Sequence, residues 1–286
     1  MEILRTLKNV IKSGEDILRK NNIENSAYDS FALLSDMLNI DRAYYFSHEN
    51  EAVLETVYKE YMKCIERRAN HIPLQHIIGY TEFWKYKFFV NEYVLVPRQD
   101  TELLVEEALK KIDSNSTVLD MCTGSGCILI SLALETNFIK GIGTDISKEA
   151  LVIAGKNRES LEAKNVEFLE SDLFKKLQGT FNHKFDVIVS NPPYIKTSVI
   201  EELDEEVRTY DPMIALDGHD DGLYFYEAIT VQSVDFIKTG GWLMYEIGYD
   251  QAEPVKKIMR QCGFTNIEIV KDLSGLDRVV IGQKIN

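Results

Sequence analysis

The stretch TVLDMCTGSGCILISLALET, residues 117–136, decides the fold class. It begins with a short apolar run, turns through two closely spaced glycines, and continues with apolar residues at helical spacing. Gly124 and Gly126 lack Cβ atoms, so the backbone there can turn sharply and let a ligand approach closely. The pattern predicts a buried strand, a tight turn, and a helix whose first N–H groups face a ligand.

Strands and helices alternate along the chain after this unit. Further strand candidates are residues 141–146, 166–171, 185–191, 241–248, 266–271 and 278–283, and helical patterns separate most of them. Alternation of this kind predicts an α/β fold with a Rossmann-like, doubly wound sheet of seven strands. The last two candidates are joined only by DLSGLD, which is too short for a helical crossover, so the last strand is predicted to be antiparallel.

The residues before this sheet divide into two parts. Residues 1–75 carry only helical patterns, among them Ser26–Leu38, which starts with a suitable N-cap residue, and Asn50–Ala69. They predict a small helical bundle, which we interpret as a substrate-docking or capping domain rather than a catalytic one. In the linker, residues 76–100, FWKYKFFV, NEY and VLVPR predict a β-hairpin around a polar turn.

Residues 101–286 form the remaining predicted domain. It opens with a helix over 101–112, which has acidic residues early and lysines late, in agreement with the helix dipole. The full length of 286 residues suits two domains, and 45% hydrophobic with 27% charged residues is typical of a soluble globular protein.

Targeting segments and covalent cross-links are not indicated. No apolar run approaches the roughly 18 residues that a membrane-spanning helix needs. The N-terminus mixes charges with apolar residues, which is typical of neither a signal nor a transit peptide. The four cysteines form no C-x-x-C pair, so neither a metal site nor a disulfide framework is expected, and we expect a reducing cytoplasm.

The formal charge of −14 is concentrated after residue 70. Residues 1–70 contain 10 Lys and Arg against 12 Asp and Glu, whereas the rest contains 22 against 34. A surface this acidic repels a phosphate backbone, so direct binding of duplex DNA is not expected as the main activity. This average charge is compatible with a local basic groove.

Two acidic residues follow neighbouring predicted strands. Asp145 lies nineteen residues past Gly126, where an acid in this architecture reaches the hydroxyls of an adenosine ribose. Asp172 follows the third strand and is placed to meet an adenine amino group. Helix capping is the alternative for both, since Asp145 precedes SKEAL and Asp172 precedes LFKKL. Together with the glycine loop, they favour an adenosine-containing cofactor.

The choice between a dinucleotide and S-adenosylmethionine depends on the glycine loop. The dinucleotide pattern G-x-G-x-x-G would need glycine where Leu129 stands, and no basic group is evident to meet a pyrophosphate. A cofactor with an uncharged linker fits better.

At this point the residues resemble a known family. LDMCTGSG, GTDIS, SDLF and FDVIVSNPPYI together are similar to class I S-adenosylmethionine-dependent methyltransferases. VPRQDTELL, NPPYI and DLSGLDRVV, with matches over nearly the whole chain, narrow the resemblance to the release-factor glutamine methyltransferases (HemK type). The resemblance implies S-adenosylmethionine as cofactor, no metal, and methylation of the amide nitrogen (N5) of the Gly-Gly-Gln glutamine in class I peptide-chain release factors.

The resemblance also implies the site residues. It places the cofactor against Cys122, Thr123, Gly124, Ser125, Gly126, Asp145, Asp172, Leu173 and Asn191. It places the substrate amide at Asn191, Pro192, Pro193 and Tyr194, with Asn191, Pro192 and Tyr194 in catalytic roles. Two residues depart from the family pattern. Cys122 replaces a usual glycine and would be strained at positive φ, and Leu173 replaces a residue that is sometimes aromatic.

The chemistry of methylating an amide nitrogen explains why the residues Asn-Pro-Pro-Tyr occur together at 191–194. A carboxamide nitrogen is a poor nucleophile because its lone pair is delocalised into the carbonyl. The Asn191 side-chain carbonyl and the Pro192 backbone carbonyl can each accept one of its N–H groups, and two prolines fix the backbone around them. Tyr194 offers a flat face for a planar group. The alternative is a rigid strand-to-helix turn with Tyr194 in the core.

Other functions share this motif. Adenine-N6 methylation of DNA or RNA poses the same problem but needs a basic groove to flip the base. Methylation of a glutamine in a ribosomal protein and a non-catalytic binding module are further alternatives. The long acidic stretch Lys196–Gly222 is expected either to line the substrate entrance or to be a solvated excursion. Arg98 and Glu102 are expected to border the pocket.

Overall fold

The computed structural model describes residues 5–136, 138 and 140–285; residues 1–4 of the predicted N-terminal domain, and 137, 139 and 286 of the predicted methyltransferase domain, lie outside the described residues. The chain divides into two compact units. One comprises the residues up to Gly79 together with Glu205–Tyr210, and the other comprises the remaining residues. Within the described residues, no helix is both long and apolar enough to cross a membrane.

The first unit is helical. Its helices before Gly79 are α1 (Leu7–Lys20), α2 (Ser26–Leu38), α3 (Arg42–His48), α4 (Glu55–Ala69) and α5 (Leu74–Ile78). Helix α2 has the predicted bounds, although Asn25 and not Ser26 occupies its N-cap position. Tyr61 on α4 is fully buried, and its hydroxyl group lies 2.7 Å from Ser30 Oγ on α2. Ser30 in turn donates to the Ile11 carbonyl on α1, so one hydrogen-bonded chain joins three helices.

A buried ion pair completes this unit. Arg68 on α4 donates from Nε to Asp29 Oδ2 at 2.7 Å, and both side chains are more than nine-tenths buried. Its Nη2 lies 2.8 Å from Glu206 Oε2, in the segment Glu205–Tyr210. A buried carboxylate needs such a partner, because its charge is otherwise poorly solvated.

The second unit opens with an antiparallel hairpin of β1 (Tyr80–Phe83) and β2 (Tyr86–Phe89). The sequence predicts the turn of this hairpin at residues 91–93, and that placement is wrong. The turn lies at Trp84 and Lys85, with Trp84 at φ +58°. The Trp84 N–H donates to Glu102 Oε1 at 2.7 Å, so a carboxylate distant in sequence stabilises a turn that a tryptophan does not favour.

The remaining elements build the sheet and its covering helices. The helices of this unit are α6 (Glu102–Leu109), α7 (Cys127–Thr136), α8 (Lys148–Ser160), α10 (Met213–Leu216), α11 (Tyr224–Ser233) and α12 (Ala252–Gln261), whereas α9 (Glu205–Tyr210) belongs to the first unit. The strands are β3 (Thr117–Met121), β4 (Lys140–Asp145), β5 (Val166–Glu170), β6 (Phe185–Ser190), β7 (Ile237–Glu246), β8 (Phe264–Lys271) and β9 (Asp277–Lys284).

In the described part of the chain these strands form one seven-stranded sheet with the order β5-β4-β3-β6-β7-β9-β8. The first five in that order are parallel, and β9 is antiparallel to both its neighbours. The predicted doubly wound sheet with an antiparallel last strand is therefore confirmed. Strand β7 starts at Ile237, before the predicted 241, because the chain bulges at Gly240 and keeps its pairing with β6.

The strand order places the switch point between β3 and β6. The chain proceeds from β3 to β4 and β5 on one side and returns to the other side with β6. Met121 pairs with Thr144 of β4 and with Ser190 of β6, so the three strands end at the same level. Loops that follow these strands must therefore meet at one edge of the sheet.

We expect Arg68→Met to lower the free energy of unfolding of the protein by about 3 to 5 kcal/mol, because it leaves Asp29 buried without a partner. Lys63→Met is the control, since the pair of Lys63 with Glu60 is exposed and should change stability by less than about 1 kcal/mol. Urea denaturation of both variants followed by circular dichroism measures the difference. Equal stability of the two variants would contradict a supporting role for the buried pair.

Candidate functional site

A cavity opens at the carboxyl edge of the parallel strands. It encloses about 1070 Å³ of space, part of it open to solvent. Its walls come from the loops after β3, β4, β5 and β6, from residues within 93–101, and from α10 and α11. Doubly wound sheets bind their ligands at this position, outside the strand ends where the strand order reverses.

Most of the predicted site residues line this cavity. They are Cys122, Thr123, Gly124, Ser125, Asp145, Asp172, Leu173, Asn191 and Pro193. Gly126, Pro192 and Tyr194 are not among the lining residues. Gly126 directly precedes α7, Pro192 is buried, and Tyr194 directs its hydroxyl group toward Glu246, with 3.5 Å between Tyr194 Oη and Glu246 Oε1.

The two glycines of the loop after β3 have different neighbours. Both have positive φ, +54° at Gly124 and +78° at Gly126. A Cβ on Gly126 would lie 2.8 Å from Phe168 Cζ, whereas a Cβ on Gly124 would meet no atom within 4 Å. Gly126 is therefore required for close packing of the loop, and Gly124 leaves open space beside the cavity.

Asp145 joins the loops after β3 and β4. Its Oδ2 accepts the Gly124 N–H at 2.9 Å, and its Oδ1 accepts the Ser147 N–H at 2.9 Å. The N-cap of α8 is Ser147, whose hydroxyl accepts from Ala150, so Asp145 is not the helix cap. Burial raises the pKa of Asp145, and the backbone hydrogen bonds oppose this shift.

Two non-glycine residues of the cavity have a left-handed backbone. Cys122 has φ +61° and Leu173 has φ +47°. The strain foreseen for cysteine at a glycine position is therefore present in the structure. Burial raises the pKa of the Cys122 thiol well above its ordinary value, which keeps the thiol protonated and unreactive.

Asp172 lies at the outer rim of the cavity. Its side chain is exposed, and its Oδ2 accepts from Lys175 Nζ at 2.5 Å. The residues that follow form turns and no helix, so the predicted alternative of a helix cap finds no helix to cap here.

Asn191 follows β6 directly and reaches the cavity from the opposite side of the switch point. Its Nδ2 donates to Thr101 Oγ1 at 3.3 Å. This bond uses the donor end of the amide, so the Asn191 carbonyl oxygen remains available as an acceptor.

Tyr194 is held at both ends of the residue. Its ring packs at the edge of the core, and burial raises the pKa of its hydroxyl group. Its backbone carbonyl accepts from Gln251 Nε2 at 3.0 Å.

Sequence analysis missed several lining residues. The cavity is also lined by Tyr93, from the predicted turn, and by Val94, Leu95 and Pro97, from a stretch that the sequence predicts as a strand. The structure has no strand there, and Val94 packs in one apolar cluster with Val90 and with Ala150 of α8. Ile214, Ala215 and Phe225 also line it. The first two lie in the stretch Lys196–Gly222, which is expected from the sequence either to line the substrate entrance or to be a solvated excursion, whereas no pattern indicates Phe225.

Arg98 and Glu102 have different positions. Arg98 lines the cavity and donates from Nη2 to Asp211 Oδ2 at 2.9 Å. Glu102 supports the hairpin turn at Trp84 and is not among the lining residues.

Asp120 is a further residue that the sequence analysis missed. It is fully buried below the glycine loop, and its Oδ2 accepts from Thr123 Oγ1 at 2.5 Å. Among the described residues its Oδ1 has no hydrogen-bond partner. Burial, helped by the nearby negative charge of Asp145 and opposed by the Thr123 hydrogen bond, raises its pKa to about 7.

The residues around the cavity fit an adenosyl amino acid whose linker contains no phosphate. Arg98 is the only basic side chain among the described lining residues, and it is paired with Asp211. The Asp145 carboxylate, the backbone at Gly124 and the apolar side chain of Ile146 suit a nucleoside. Among the described residues no group of three or more His, Cys, Asp and Glu side chains is arranged to hold a metal ion.

We expect Gly126→Ala to destabilise the protein more than Gly124→Ala. Both variants force alanine into a left-handed conformation, at a cost of about 1–2 kcal/mol. Only the Gly126 variant adds a clash with Phe168, which lowers the free energy of unfolding by about 1–3 kcal/mol more. Thermal unfolding measures the difference, and equal midpoints would show that the loop can relax around the new methyl group.

We expect the contribution of Asp120 to the free energy of unfolding to fall as the pH rises from 4 to 7. Folded Asp120 keeps its proton up to about pH 7, whereas the unfolded carboxyl loses it near its ordinary value of 3.8. Its contribution to stability is therefore complete below the unfolded pKa and is lost as the pH passes the folded pKa.

Asp120→Asn should reduce this slope by about 1.4 kcal/mol per pH unit, and the exposed Asp220→Asn should leave it unchanged. Urea unfolding at pH 5, 6 and 7 measures the slope. A slope in Asp120→Asn equal to that of the unchanged protein would contradict the assignment.

Comparison with solved structures agrees with the fold. The crystal structure of Methanocaldococcus jannaschii Trm5 in complex with adenosine has a TM-score of 0.51 at 17% identity, over 73% of this chain and 57% of that chain. The complex structure of aTrm5 and tRNALeu has a TM-score of 0.50 at 18% identity, over 72% of this chain and 52% of that chain. At these identities the likeness shows the fold alone.

Comparison of sequences gives the family. A family model described as the PrmC N-terminal domain matches residues 9–79, and one described as a methyltransferase domain matches residues 112–265. A release factor glutamine methyltransferase of Geobacter sulfurreducens is 38% identical over 278 residues, 97% of this chain and 96% of that protein. One of Clostridium acetobutylicum is 38% identical over 96% and 97%, and one of Caulobacter vibrioides is 43% identical over 77% and 76%. The protein belongs to the family of release factor glutamine methyltransferases.

Proposed function

We propose that this protein transfers a methyl group from S-adenosylmethionine to the side-chain amide nitrogen of the Gly-Gly-Gln glutamine in class I peptide-chain release factors. We include in the proposal that it acts in the cytoplasm, without direct binding of nucleic acid. The observation that carries it is the position of Asn191, whose amide nitrogen is held by Thr101 so that its carbonyl oxygen is an available acceptor beside the glycine-loop cavity. Full-length relatives that carry this name support the choice of substrate.

The cofactor residues are those around the glycine loop. When bound, S-adenosylmethionine supplies a methyl group activated by a positively charged sulfur. In the proposal the backbone of Cys122 to Gly126 approaches the cofactor closely, and the Asp145 carboxylate accepts from its ribose hydroxyls. Asp172 and Leu173 border the adenine end. The arrangement of Asp145 between two loops supports this assignment, because the hydrogen bonds from Gly124 and Ser147 fix its carboxylate in place.

The substrate amide must present its nitrogen with the lone pair directed at the methyl group. The Asn191 side-chain carbonyl and the Pro192 backbone carbonyl each accept one N–H of the glutamine amide in this proposal. Their geometry is set before the substrate arrives, since the proline rings fix φ and restrict the residues before them. Positioning of this kind contributes up to about 7–11 kcal/mol in ideal cases.

The same acceptors stabilise the charge that develops on the nitrogen. As the nitrogen forms its bond to carbon it becomes positive, and oxygen acceptors aimed at its N–H groups oppose that charge. A strong base is not needed, because the methylated amide loses its extra proton readily to water. The described lining of the cavity contains no histidine, which agrees with this chemistry.

Tyr194, α10 and the helical unit complete the proposal. We assign Tyr194 to the substrate site as a flat side face for the glutamine amide. The positions of Ile214 and Ala215 in the lining support a role of the stretch Lys196–Gly222 at the substrate entrance. The helical unit, residues 1–75 in the predicted division, is proposed to dock the release factor.

Incubation of the purified protein with a class I release factor and methyl-labelled S-adenosylmethionine should label the release factor. Changing the Gly-Gly-Gln glutamine to alanine should remove the label. Label in duplex DNA, but none in the release factor, would make the adenine-N6 alternative correct. If a ribosomal protein alone is labelled, the substrate is that protein and the proposed chemistry is unchanged.

Asn191→Ala in the same assay should lower transfer by about 100-fold or more, because one of the two acceptors is lost. Asn165→Ala is the matched control, since it removes one side-chain bond to the Phe138 carbonyl outside the cavity. Normal turnover in Asn191→Ala would refute the role assigned to this residue.

A further inference from the structure

The amide group of Gln251 makes hydrogen bonds at the turn that carries the proposed substrate residues. Its Nε2 donates to the Tyr194 carbonyl at 3.0 Å and to the Gly222 carbonyl at 3.1 Å. Its Oε1 accepts from the Gly248 N–H at 2.9 Å, and the Tyr226 hydroxyl, which donates to the Glu246 carbonyl at 3.0 Å, lies 3.4 Å from it. The residue is 5% exposed. Every donor and acceptor of the amide is therefore occupied, which fixes its orientation.

This use of the side chain is unusual for its place in the fold. Gln251 occupies the N-cap position of α12, where a polar side chain commonly accepts a backbone N–H of its own helix. It makes no such bond. The side chain instead joins the Asn-Pro-Pro-Tyr turn and the end of the stretch Lys196–Gly222, both distant from it in sequence, to the neighbouring loop after β7.

Only a few backbone torsion angles lie between the Tyr194 carbonyl, which Gln251 holds, and the Pro192 carbonyl, which is the proposed acceptor. Between the Pro192 carbonyl and the Tyr194 carbonyl, the proline ring fixes φ of Pro193 and the peptide bonds are planar. Holding the Tyr194 carbonyl therefore restricts the direction in which the Pro192 carbonyl points. At the other end, β6 and Thr101 hold Asn191.

The stretch Lys196–Gly222 closes on the same backbone. Ile195 donates to the Leu216 carbonyl at 3.0 Å, and Gly218 donates to the Ile195 carbonyl at 2.8 Å. Gly222 has φ +75°, and a Cβ there would lie 2.4 Å from the Tyr194 carbonyl oxygen and 2.7 Å from Gln251 Nε2. The bond between Gln251 and Tyr194 is thus enclosed and leaves no room for an alternative position.

We infer that Gln251 is a positioning residue for methyl transfer, which acts by pinning the Tyr194 carbonyl so that the Pro192 carbonyl faces the amide of the substrate. This inference rests on the proposed function for the identity of the substrate. Gln251 is not among the residues that line the cavity, so it does not contact the cofactor or the reacting atoms itself.

Gln251→Met keeps the size of the side chain and removes its hydrogen bonds. We expect kcat for methylation of the release factor to fall by about 10- to 100-fold, as small misplacements of reacting groups do. The dissociation constant for S-adenosylmethionine should change by less than about 2-fold. Gln283→Met is the control: it also loses a bond from a glutamine amide to a backbone carbonyl, that of Gly240, but far from the turn. A normal kcat in Gln251→Met overturns the inference.

Gly222→Ala tests the same bond without changing Gln251. Its new Cβ displaces the Tyr194 carbonyl, so the same fall in kcat is expected. Gly179→Ala is its control, because Gly179 has nearly the same φ, +76°, and no atom within 4 Å of the added Cβ. Equal kcat in Gly222→Ala and Gly179→Ala counts against the inference, even if Gln251→Met fails to fold.

Hydrogen exchange separates this inference from the proposed function. The Ile195 N–H should exchange faster in Gln251→Met than in Gln283→Met, since its segment is no longer held at Tyr194. If the unchanged protein does not label the release factor, the proposed function fails while this comparison still decides whether Gln251 holds the turn. If the release factor is labelled but Ile195 exchange and kcat are unchanged in Gln251→Met, the proposed function stands and the inference is wrong.

Discussion

Because Met121 of β3 pairs with Ser190 of β6, the residues that follow these strands leave the sheet at one edge and at one level. The Ser190 hydroxyl donates to the Met121 carbonyl at 2.6 Å and fixes the two strand ends against each other. The rest of the site depends on this pairing. It sets the glycine loop opposite Asn191, and a shift by one residue would reverse the faces of every side chain in the strand.

The site concentrates unfavourable backbone conformations on the side proposed to bind the cofactor. Cys122 and Leu173 have left-handed backbones without being glycine, beside Gly124 and Gly126. Such conformations persist where surrounding contacts fix them, and here Asp145 receives the Gly124 N–H while the Thr123 N–H donates to the Thr144 carbonyl. The loop is held from β4 as well as from β3, so its shape exists before any ligand binds. A cavity with a fixed shape avoids the cost of ordering a loop on binding.

The proposed substrate side is held in a different way, by proline rings and by buried side chains rather than by strained loops. Asn191 is oriented by Thr101, and Tyr194 is held at its carbonyl by Gln251 and approached at its hydroxyl by Glu246. Burial raises the pKa of Glu246 to about 7. These supporting residues are Thr101, just before α6, Glu246 in β7 and Gln251 at the start of α12. The Asn-Pro-Pro-Tyr turn thus depends on residues that lie outside its own segment of the chain.

The sequence by itself determined the seven strands, the doubly wound arrangement and the antiparallel last strand, because these follow from local periodicity and from loop length. The sequence, through its resemblance to a known family, also indicated nine of the residues that line the cavity. It did not determine the hairpin turn at Trp84, which Glu102 stabilises, or the lining residues Tyr93 to Pro97. Nor could the sequence predict the hydrogen bond of Asn191 to Thr101 or that of Gln251 to the Tyr194 carbonyl. Each involves a hydrogen bond or contact between residues that the chain brings together only when it folds. Local sequence patterns predict the backbone conformation of a segment. Tertiary packing determines which group a buried polar side chain bonds.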